Sequence, residues 1–384
     1  MKIALAHKRL DLRGGTERDF YRTAEGLRDL GHEVHLYCAE IQMAPPPGVQ
    51  LHKLFTCPLG RTARLLSFAF LAPRAIAARP YDVSLSFGRM IAQDVVRSGG
   101  GTHRVFLKKM AEAEGGLRRL WHRVSLYHRC VLAIERLQYR PRRSKKILAV
   151  SREVKREIET VYGVSKEKVA VIYNGVDTDR FHPCRRPAAR DRIRSQWRIP
   201  QEAPVAIFVG NSFQRKGLDR VFRAWMSPRL EKFYLLVVGD DANRAHYHLW
   251  ARTEAKGRIQ FAGRQAAVED YLAAADLLVL PALQEAFGNV IMEALASGLP
   301  VVASRAVGAA EILTGQLREG ILEDPDTPLE MEAKLLKMLD PVCWRVLSEE
   351  ARHLAESYSW GNHFRELERY LLEAAHGERG GDPA

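Results

Sequence analysis

Two glutamates, Glu285 and Glu293, lie eight positions apart where an apolar stretch, 277–281, gives way to a predicted helix. A strand, a loop and a helix start in this order place a ligand at the carboxyl end of a parallel sheet. Gly288 lets a phosphate approach the backbone, and the helix start carries a partial positive charge. Glu293 lies about five residues into this helix, roughly 7.5 Å along its axis. The two carboxylates therefore suit the two ends of an extended ligand with a diphosphate in its middle.

Two cations, Arg215 and Lys216, follow a second apolar stretch, Val205 to Val209, and Gly210. Arginine can bind a phosphate with two parallel hydrogen bonds, whereas lysine acts as a point charge. Both would stabilise the charge on a departing phosphate more in the transition state than in the ground state. The alternative interpretation is a pair of solvated cations that cap a loop.

These residues resemble the E-x7-E and R-K-G motifs of the retaining family 4 glycosyltransferases, which have the GT-B fold. The resemblance rests on the string from Glu285 to Pro300, on Gly210 to Asp219 and on Gly14 to Phe20. It extends over the whole chain. Within the family, the sequence resembles in particular the bacterial lipopolysaccharide core glucosyltransferases that act on heptose.

The resemblance implies an α/β protein with two doubly wound, Rossmann-like domains that face each other across a cleft. Residues 1–178 would bind the acceptor and residues 179–359 the nucleotide sugar. The last helix, about 360–376, would pack back on the first domain, and 377–384 would form a frayed tail. The alternation of predicted strands and helices agrees with two such sheets.

The family also implies roles for individual residues. Glu285 would bind hydroxyls of the donor sugar and Glu293 the ribose, while Arg215 and Lys216 would hold the diphosphate with the helix start. The predicted donor-binding residues are Gly14, Gly15, Gly210, Arg264, Phe287, Gly288, Asn289, Val290 and Glu293.

A flexible loop, Gly99 to Gly101, precedes His103, which could hydrogen-bond a sugar hydroxyl or shuttle a proton. A single histidine of this kind is more often structural, and the resemblance favours a donor contact near a catalytic centre. Arg89 and Asp94 are candidate acceptor-binding residues, although both could equally be loop charges. Thr16 and Glu17, next to the Gly14-Gly15 pair, are further acceptor candidates.

The activity implied is retaining transfer of a sugar, glucose by this resemblance, from a UDP donor to a lipopolysaccharide-core or related glycan. Two D-x-D strings, 177–179 and 324–326, are interpreted as turns, so we expect neither a metal nor another cofactor. One alternative is a nucleotide-sugar epimerase on the same fold, which would turn over UDP-sugar without an acceptor. A less favoured alternative is a nucleic-acid-binding protein, although no recognised binding motif is present.

The net charge of +13 is concentrated in 104–146, where thirteen lysines and arginines accompany three acids. Nucleic acid, anionic lipid and phosphorylated substrates are the candidate partners for such a segment. Because the implied acceptor is linked to lipid, we expect peripheral attachment to the inner face of the cell membrane, with no nucleic-acid partner. Five scattered cysteines and a strand-like start at 1–7 favour a reducing cytoplasm without a signal peptide.

Three segments carry further expectations. Residues 40–60 are rich in proline and are predicted to be irregular. Apolar residues at helical spacing predict a helix over 117–138, and the prolines and charges of 182–200 are typical of a linker between domains.

Overall fold

The computed structural model describes residues 1–12, 14–114, 125–140, 142–255 and 257–376. The chain forms two compact units. The N-terminal unit comprises Met1–Asn174 together with the segment that begins at Trp360, and the C-terminal unit comprises Gly175–Ser359. The boundary therefore falls four residues before the predicted one, at the turn formed by Asn174 and Gly175.

The N-terminal unit is built on a seven-stranded parallel sheet with the order β5-β3-β1-β6-β7-β8-β9. A two-stranded parallel ribbon pairs β2 with β4. The strands are β1 (Lys2–Ala6), β2 (Arg9–Leu10), β3 (Glu33–Cys38), β4 (Glu40–Ile41), β5 (Gln50–Lys53), β6 (Val83–Ser86), β7 (Val95–Ser98), β8 (Lys146–Ala149) and β9 (Val169–Val171).

Helices cover this sheet because their apolar faces need burial. They are α1 (Gly15–Asp29), α2 (Gly60–Ala77), α3 (His103–Glu114), α4 (Leu126–Gln138) and α5 (Arg152–Tyr162). The helix that begins at Trp360 packs against α1. There a Cβ on Gly26 would lie only 2.1 Å from the Phe364 ring. Leu367 and Leu371 complete the core beneath β1.

The C-terminal unit is built on a six-stranded parallel sheet with the order β12-β11-β10-β13-β14-β15. Its strands are β10 (Val205–Val209), β11 (Tyr234–Val238), β12 (Ile259–Gly263), β13 (Leu277–Leu280), β14 (Val301–Ser304) and β15 (Ile321–Leu322). Its helices, followed by the last helix of the chain, are α6 (Arg186–Gln196), α7 (Phe213–Lys216), α8 (Leu218–Trp225), α9 (Arg244–Glu254), α10 (Val268–Ala274), α11 (Asn289–Ala296), α12 (Pro328–Met338), α13 (Pro341–Ser357) and α14 (Trp360–His376). Short 3₁₀ turns lie at Lys166–Lys168, Pro183–Arg185, Pro228–Leu230, Gly308–Ile312 and Gly315–Gly320.

In both sheets the order of the strands reverses direction near the middle. In the N-terminal unit β1 lies between β3 and β6, and in the C-terminal unit β10 lies between β11 and β13. From each of these central strands the sheet first grows to one side and then, after a crossover, to the other side. Loops that leave the carboxyl ends of two such neighbours run to opposite sides and open a crevice there. These two switch points are the places where ligand sites are expected.

Two sequence-based expectations need correction, and a third is confirmed in part. Residues 40–60 contain β4 and β5, and β5 extends the sheet by pairing with β3. Residues 182–200 are not a linker, because they include α6, whose Arg194 is fully buried in the C-terminal unit. The predicted helix over 117–138 is confirmed only from Leu126, since 117–124 lie outside the described residues, as does the predicted tail, 377–384.

Candidate active site

The loop after β10 is shaped by glycines at positive φ. Gly210 has φ 153° and Gly217 has φ 83°, on either side of the single turn of α7. A Cβ on Gly217 would lie 2.1 Å from the carbonyl oxygen of Pro281, so only glycine lets this loop lie against the end of β13. A Cβ on Gly210 would lie 2.6 Å from Nζ of Lys216. The loop is therefore folded tightly around its two cations.

Three predicted residues meet at this switch point. Nη1 of Arg215 donates to Oε2 of Glu285 at 3.0 Å and to the backbone oxygen of Gln284 at 2.7 Å. Nζ of Lys216 lies 3.6 Å from the same Oε2. The backbone N–H of Leu283 donates to the oxygen of Arg215 at 2.8 Å. The loop after β10 and the loop after β13 are thus held together by one carboxylate and two cations.

The charges in this cluster do not balance. Burial raises the pKa of Glu285, but the charges of Lys216 and Arg215 together outweigh it and hold that pKa below its ordinary value. Burial lowers the pKa of Lys216, with Glu285 opposing the change. When all three groups are charged, two cations face the carboxylate of Glu285, so these three groups together carry a net positive charge, and the carboxylate of Glu293 opposes it at Lys216. Such a site can bind an anion at the carboxyl edge of the sheet.

The segment after Glu285 is fixed by backbone contacts. The N–H of Glu285 donates to the oxygen of Ala306 at 3.0 Å, and its own oxygen accepts from Gly308 at 2.9 Å. Gly288 has φ 88°, and a Cβ there would lie 2.7 Å from Cγ1 of Val307. Only glycine therefore permits this approach immediately before α11, and the helix starts beside the cluster.

The other predicted donor-binding residues differ in what they offer a ligand. Phe287 and Val290 are buried, so a ligand beside them would meet backbone rather than side chain. Asn289 is the first residue of α11 and Glu293 the fifth. The charge of Glu293 acts on Lys216, which brings it into the electrostatic environment of the cluster.

Arg264 lies elsewhere on the same sheet edge. It follows β12, which is the edge strand, and its side chain is 74% exposed. Its Nε lies 3.7 Å from a carboxylate oxygen of Asp240, which follows β11. The structure thus separates the Arg264 side chain from the cluster at β10 and β13.

A cavity of about 310 Å³ occupies the switch point of the N-terminal unit. Thr16 and Glu17, at the start of α1 just after Gly14 and Gly15, line it, and so does Arg89 after β6. Other lining residues, which the sequence motifs did not indicate, lie in β7 and α4 or directly after β1 and α4. These are His7, Lys8, Arg97, Glu135, Gln138 and Tyr139.

Three polar atoms on this wall are shielded from solvent and have no hydrogen-bond partner within the described part of the chain. They are Nδ1 of His7, Nη1 of Arg97 and Oε1 of Gln138. Nη2 of Arg97 donates to Asp19 at 2.9 Å and to Asn174 at 2.7 Å, and these hydrogen bonds fix the guanidinium. Because buried polar groups are nearly always paired, these atoms indicate a ligand rich in hydroxyls or charges.

Glu135 links two predicted residues. It is 1% exposed, and it accepts hydrogen bonds from Nη1 of Arg89 at 2.6 Å and from the backbone N–H of His103 at 2.9 Å. The hydroxyl of Tyr162 also donates to it. The imidazole of His103 has its Nε2 3.0 Å from Nδ1 of His128. His103 is therefore held from both its backbone and its ring.

Asp94 lies at the opposite edge of the sheet from Arg89. It precedes β7 and accepts from the backbone N–H and hydroxyl of Ser84 at 2.8 and 2.7 Å. Nζ of Lys145 lies 3.2 Å from it. The two predicted acceptor residues thus belong to different places in the fold.

Both D-x-D strings form turns. Asp177 accepts from the N–H of Arg180 at 3.0 Å, and Asp324 accepts from that of Asp326 at 3.0 Å. In the part of the chain that the structure describes, no group of three or more histidine, cysteine, aspartate or glutamate side chains is placed to hold a metal ion. Within that same part, no helix has the length and apolar character needed to cross a bilayer.

Comparison with known families assigns both units. Residues 13–180 match the model described as Glycosyltransferase Family 4, and residues 203–341 match the model described as Glycosyl transferases group 1. The chain belongs to the family 4 glycosyltransferases. The GT-B fold of the chain is confirmed.

Individual relatives extend over most of this glycosyltransferase. The chain is 26% identical over 348 residues to lipopolysaccharide glucosyltransferase WaaG of Escherichia coli (strain K12). This alignment covers 90% of this chain and 91% of WaaG. The crystal structure of WaaG matches with a TM-score of 0.77 at 24% identity, covering 99% of this chain and 100% of that chain. HepE from Anabaena in complex with UDP-glucose matches with a TM-score of 0.71 at 19% identity, covering 97% and 100%.

We predict that Glu135→Gln lowers the free energy of unfolding by about 2 kcal/mol, because the new amide nitrogen would face the N–H of His103 and Arg89 would lose its charged partner. Glu153→Gln is the matched control, since Glu153 pairs with Arg156 on the exposed surface; its cost should stay under about 1 kcal/mol. Urea unfolding measures both. Equal losses in the two variants would contradict a structural role for Glu135.

Proposed function

We propose that the protein transfers glucose from UDP-glucose to a lipopolysaccharide-core or related glycan, with retention of configuration and without a metal ion. The donor and sugar are suggested by HepE, whose structure contains UDP-glucose, and by WaaG, which is a lipopolysaccharide glucosyltransferase. The observation that carries the proposal is the excess positive charge of Arg215 and Lys216 around Glu285.

The donor diphosphate would lie on this cluster. Its negative charge balances the excess cation, and the start of α11 adds a further partial positive charge. As the bond from the anomeric carbon to the phosphate breaks, charge grows on the leaving oxygen. Arg215 and Lys216 then stabilise the transition state more than the bound donor.

Glu285 and Glu293 would contact the two ends of the donor. Glu285 is ionised and held by Arg215, so its remaining lone pairs can accept from hydroxyls of the transferred sugar. Glu293 lies two turns further along the loop and helix and would accept from the ribose hydroxyls. The pair would thereby fix the donor along its length.

The acceptor would bind in the cavity of the N-terminal unit. The shielded polar atoms of His7, Arg97 and Gln138 can each be satisfied by a hydroxyl or an anionic group of a glycan. Thr16, Glu17 and Arg89 contribute further polar contacts around it. These features support a hydrophilic acceptor rather than an apolar one.

The chemical step would proceed on one face of the sugar. The acceptor oxygen forms a bond to the anomeric carbon on the side from which the diphosphate departs. The bond from that carbon to the phosphate oxygen breaks, and the acceptor proton passes to the leaving phosphate. The product keeps the configuration of the donor, and no enzyme nucleophile is needed.

Attachment to an anionic membrane surface on the cytoplasmic side is also part of the proposal. Its support is the basic segment 104–146, of which Arg118, Arg119 and Arg123 lie outside the described residues. Cations near such a surface contribute about 1 kcal/mol each. None of the relatives named above is an epimerase or a nucleic-acid-binding protein, and no observation favours those alternatives.

We predict that Glu285→Gln lowers the rate of transfer roughly 100-fold or more while leaving the melting temperature close to wild type. Glu293→Ala should instead raise the Michaelis constant for UDP-glucose roughly tenfold, because one charged contact to the ribose is lost. Glu356→Gln, which changes an exposed carboxylate of the same unit, is the control. Near wild-type turnover in Glu285→Gln, or unchanged donor affinity in Glu293→Ala, would remove that residue from its proposed role.

Chelation tests the absence of a metal requirement. The two cations that would offset the leaving diphosphate belong to the protein, so EDTA should leave the transfer rate unchanged within about twofold. The rate is measured before and after exhaustive dialysis against the chelator. Full loss with EDTA and recovery with Mn²⁺ would show that the proposal is wrong on this point.

A further inference from the structure

A second cavity of the N-terminal unit, about 410 Å³, lies at the edge of the sheet opposite to the proposed acceptor site. Its wall includes Asp94, which precedes β7, and Lys145, which precedes β8, so it sits at the amino ends of the strands. The C-terminal end of α2, with Ile76 and Ala77, forms an apolar side. Cavities of roughly 300–1,000 Å³ are typical of small-molecule sites.

The cavity has a strong charge bias. Arg79, Arg142, Arg143 and Lys145 line it, and Asp94 is its acidic residue. Asp94 is engaged by Ser84 and Lys145. Nη1 of Arg79 lies 3.2 Å from the ring of His52. The excess of arginine around one small space favours a compact anion such as a phosphate.

Two buried polar side chains on the same wall have atoms without partners among the described residues. Both the amide nitrogen and the amide oxygen of Gln93 lack a hydrogen bond, as does the hydroxyl of Ser144. Gln93 is 9% exposed and Ser144 is 3% exposed. Burial without a partner is unfavourable, and a ligand with both acceptors and hydroxyl donors would satisfy both side chains.

From these observations we propose that this cavity is a binding site for a phosphomonoester that carries neighbouring hydroxyls, such as a sugar or polyol phosphate. The arginines bind the phosphate, the Ser144 hydroxyl and the Gln93 amide nitrogen donate to it, and the Gln93 oxygen accepts from a ligand hydroxyl. The site is distinct from the acceptor cavity, because it lies at the amino ends of the strands. The same phosphate chemistry is offered by a soluble sugar phosphate and by a lipid headgroup.

Calorimetric titration with glucose 6-phosphate tests the site in the full chain. Wild-type protein should bind it, unphosphorylated glucose should not bind, and the affinity should fall as salt is added. Arg142→Ala/Arg143→Ala should weaken binding about tenfold or more. The matched control is Arg22→Ala/Arg156→Ala, which removes two cations from exposed helical ion pairs of the same unit and should bind as wild type does.

Binding to vesicles of phosphatidylcholine with phosphatidate tests whether the phosphate that the site takes belongs to a lipid headgroup. If wild type and control bind these vesicles, Arg142→Ala/Arg143→Ala does not, and glucose 6-phosphate gives no heat, the site takes a lipid headgroup. The proposal is overturned if neither probe binds, or if binding of both probes is the same in the arginine variant and its control.

Gln93→Met separates a binding role from a structural one. The substitution removes a buried amide that has no hydrogen-bond partner among the described residues, so the melting temperature should stay the same or rise. Binding of glucose 6-phosphate should nevertheless weaken severalfold, because the Gln93 oxygen no longer accepts from a sugar hydroxyl. Binding of inorganic phosphate should weaken less, because that ligand has no sugar hydroxyl to lose. A lower melting temperature with unchanged affinity for glucose 6-phosphate would show that Gln93 supports the fold instead.

Discussion

One carboxylate between two cations organises the C-terminal unit. Glu285 is contacted by Arg215 and Lys216, and this contact joins the loop after β10 to the loop after β13 at the switch point of the sheet. The pair of cations is more than the carboxylate can neutralise. The net positive charge of these three groups makes the cluster suited to an anionic ligand.

Close backbone approaches make this arrangement possible. Gly217 lies against the oxygen of Pro281, and Gly288 lies against Val307, at distances that no Cβ would tolerate. The N-terminal unit also has its polar side chains at the switch point of a parallel sheet, but they surround a cavity. At its switch point lie His7, which follows β1, and Arg97, at the end of β7. Nδ1 of His7 and Nη1 of Arg97 have no hydrogen-bond partner in the described part of the chain, and both residues line a cavity. In both units the parallel sheet thus sets the position of these side chains, and the loops carry most of the charged and polar groups.

Much of the C-terminal site was predictable because its motifs are local. The Arg215-Lys216 pair follows an apolar strand and Gly210, and Glu285 follows an apolar strand and precedes Gly288. A charged residue in a loop directly after a strand is placed at the carboxyl edge of the sheet. The strands themselves are buried on both faces, so their apolar runs are plain in the sequence. The strand before Arg264 was also correctly predicted, but the sequence did not show that it is the edge strand of the sheet.

The N-terminal site was harder to predict because its contacts join distant residues. Strand β7 contains Arg97, whose burial depends on Asp19, 78 positions away, so its pattern does not show a strand. Glu135 lies in a basic helix, where it resembles a solvated charge until Arg89 and His103 are brought beside it. A polar residue directly after a strand, such as His7, is the signal in the sequence that could have indicated this cavity. Residues 182–200 were misjudged for a related reason, since the buried ion pair of Arg194 with Asp276 connects residues 82 positions apart.

Steady-state kinetics of Arg215→Ala tests most directly whether the cations of the Glu285 cluster stabilise the departing diphosphate. Arg192→Ala is the control, because Arg192 pairs with Asp270 at an exposed position of the same unit. If charge stabilisation during bond cleavage is the main role of Arg215, kcat for transfer from UDP-glucose should fall roughly 100-fold, with a change of only a few fold in the Michaelis constant for the donor. A variant whose kcat is unchanged, with the whole loss in donor affinity, would contradict that role and leave Arg215 as a simple donor anchor.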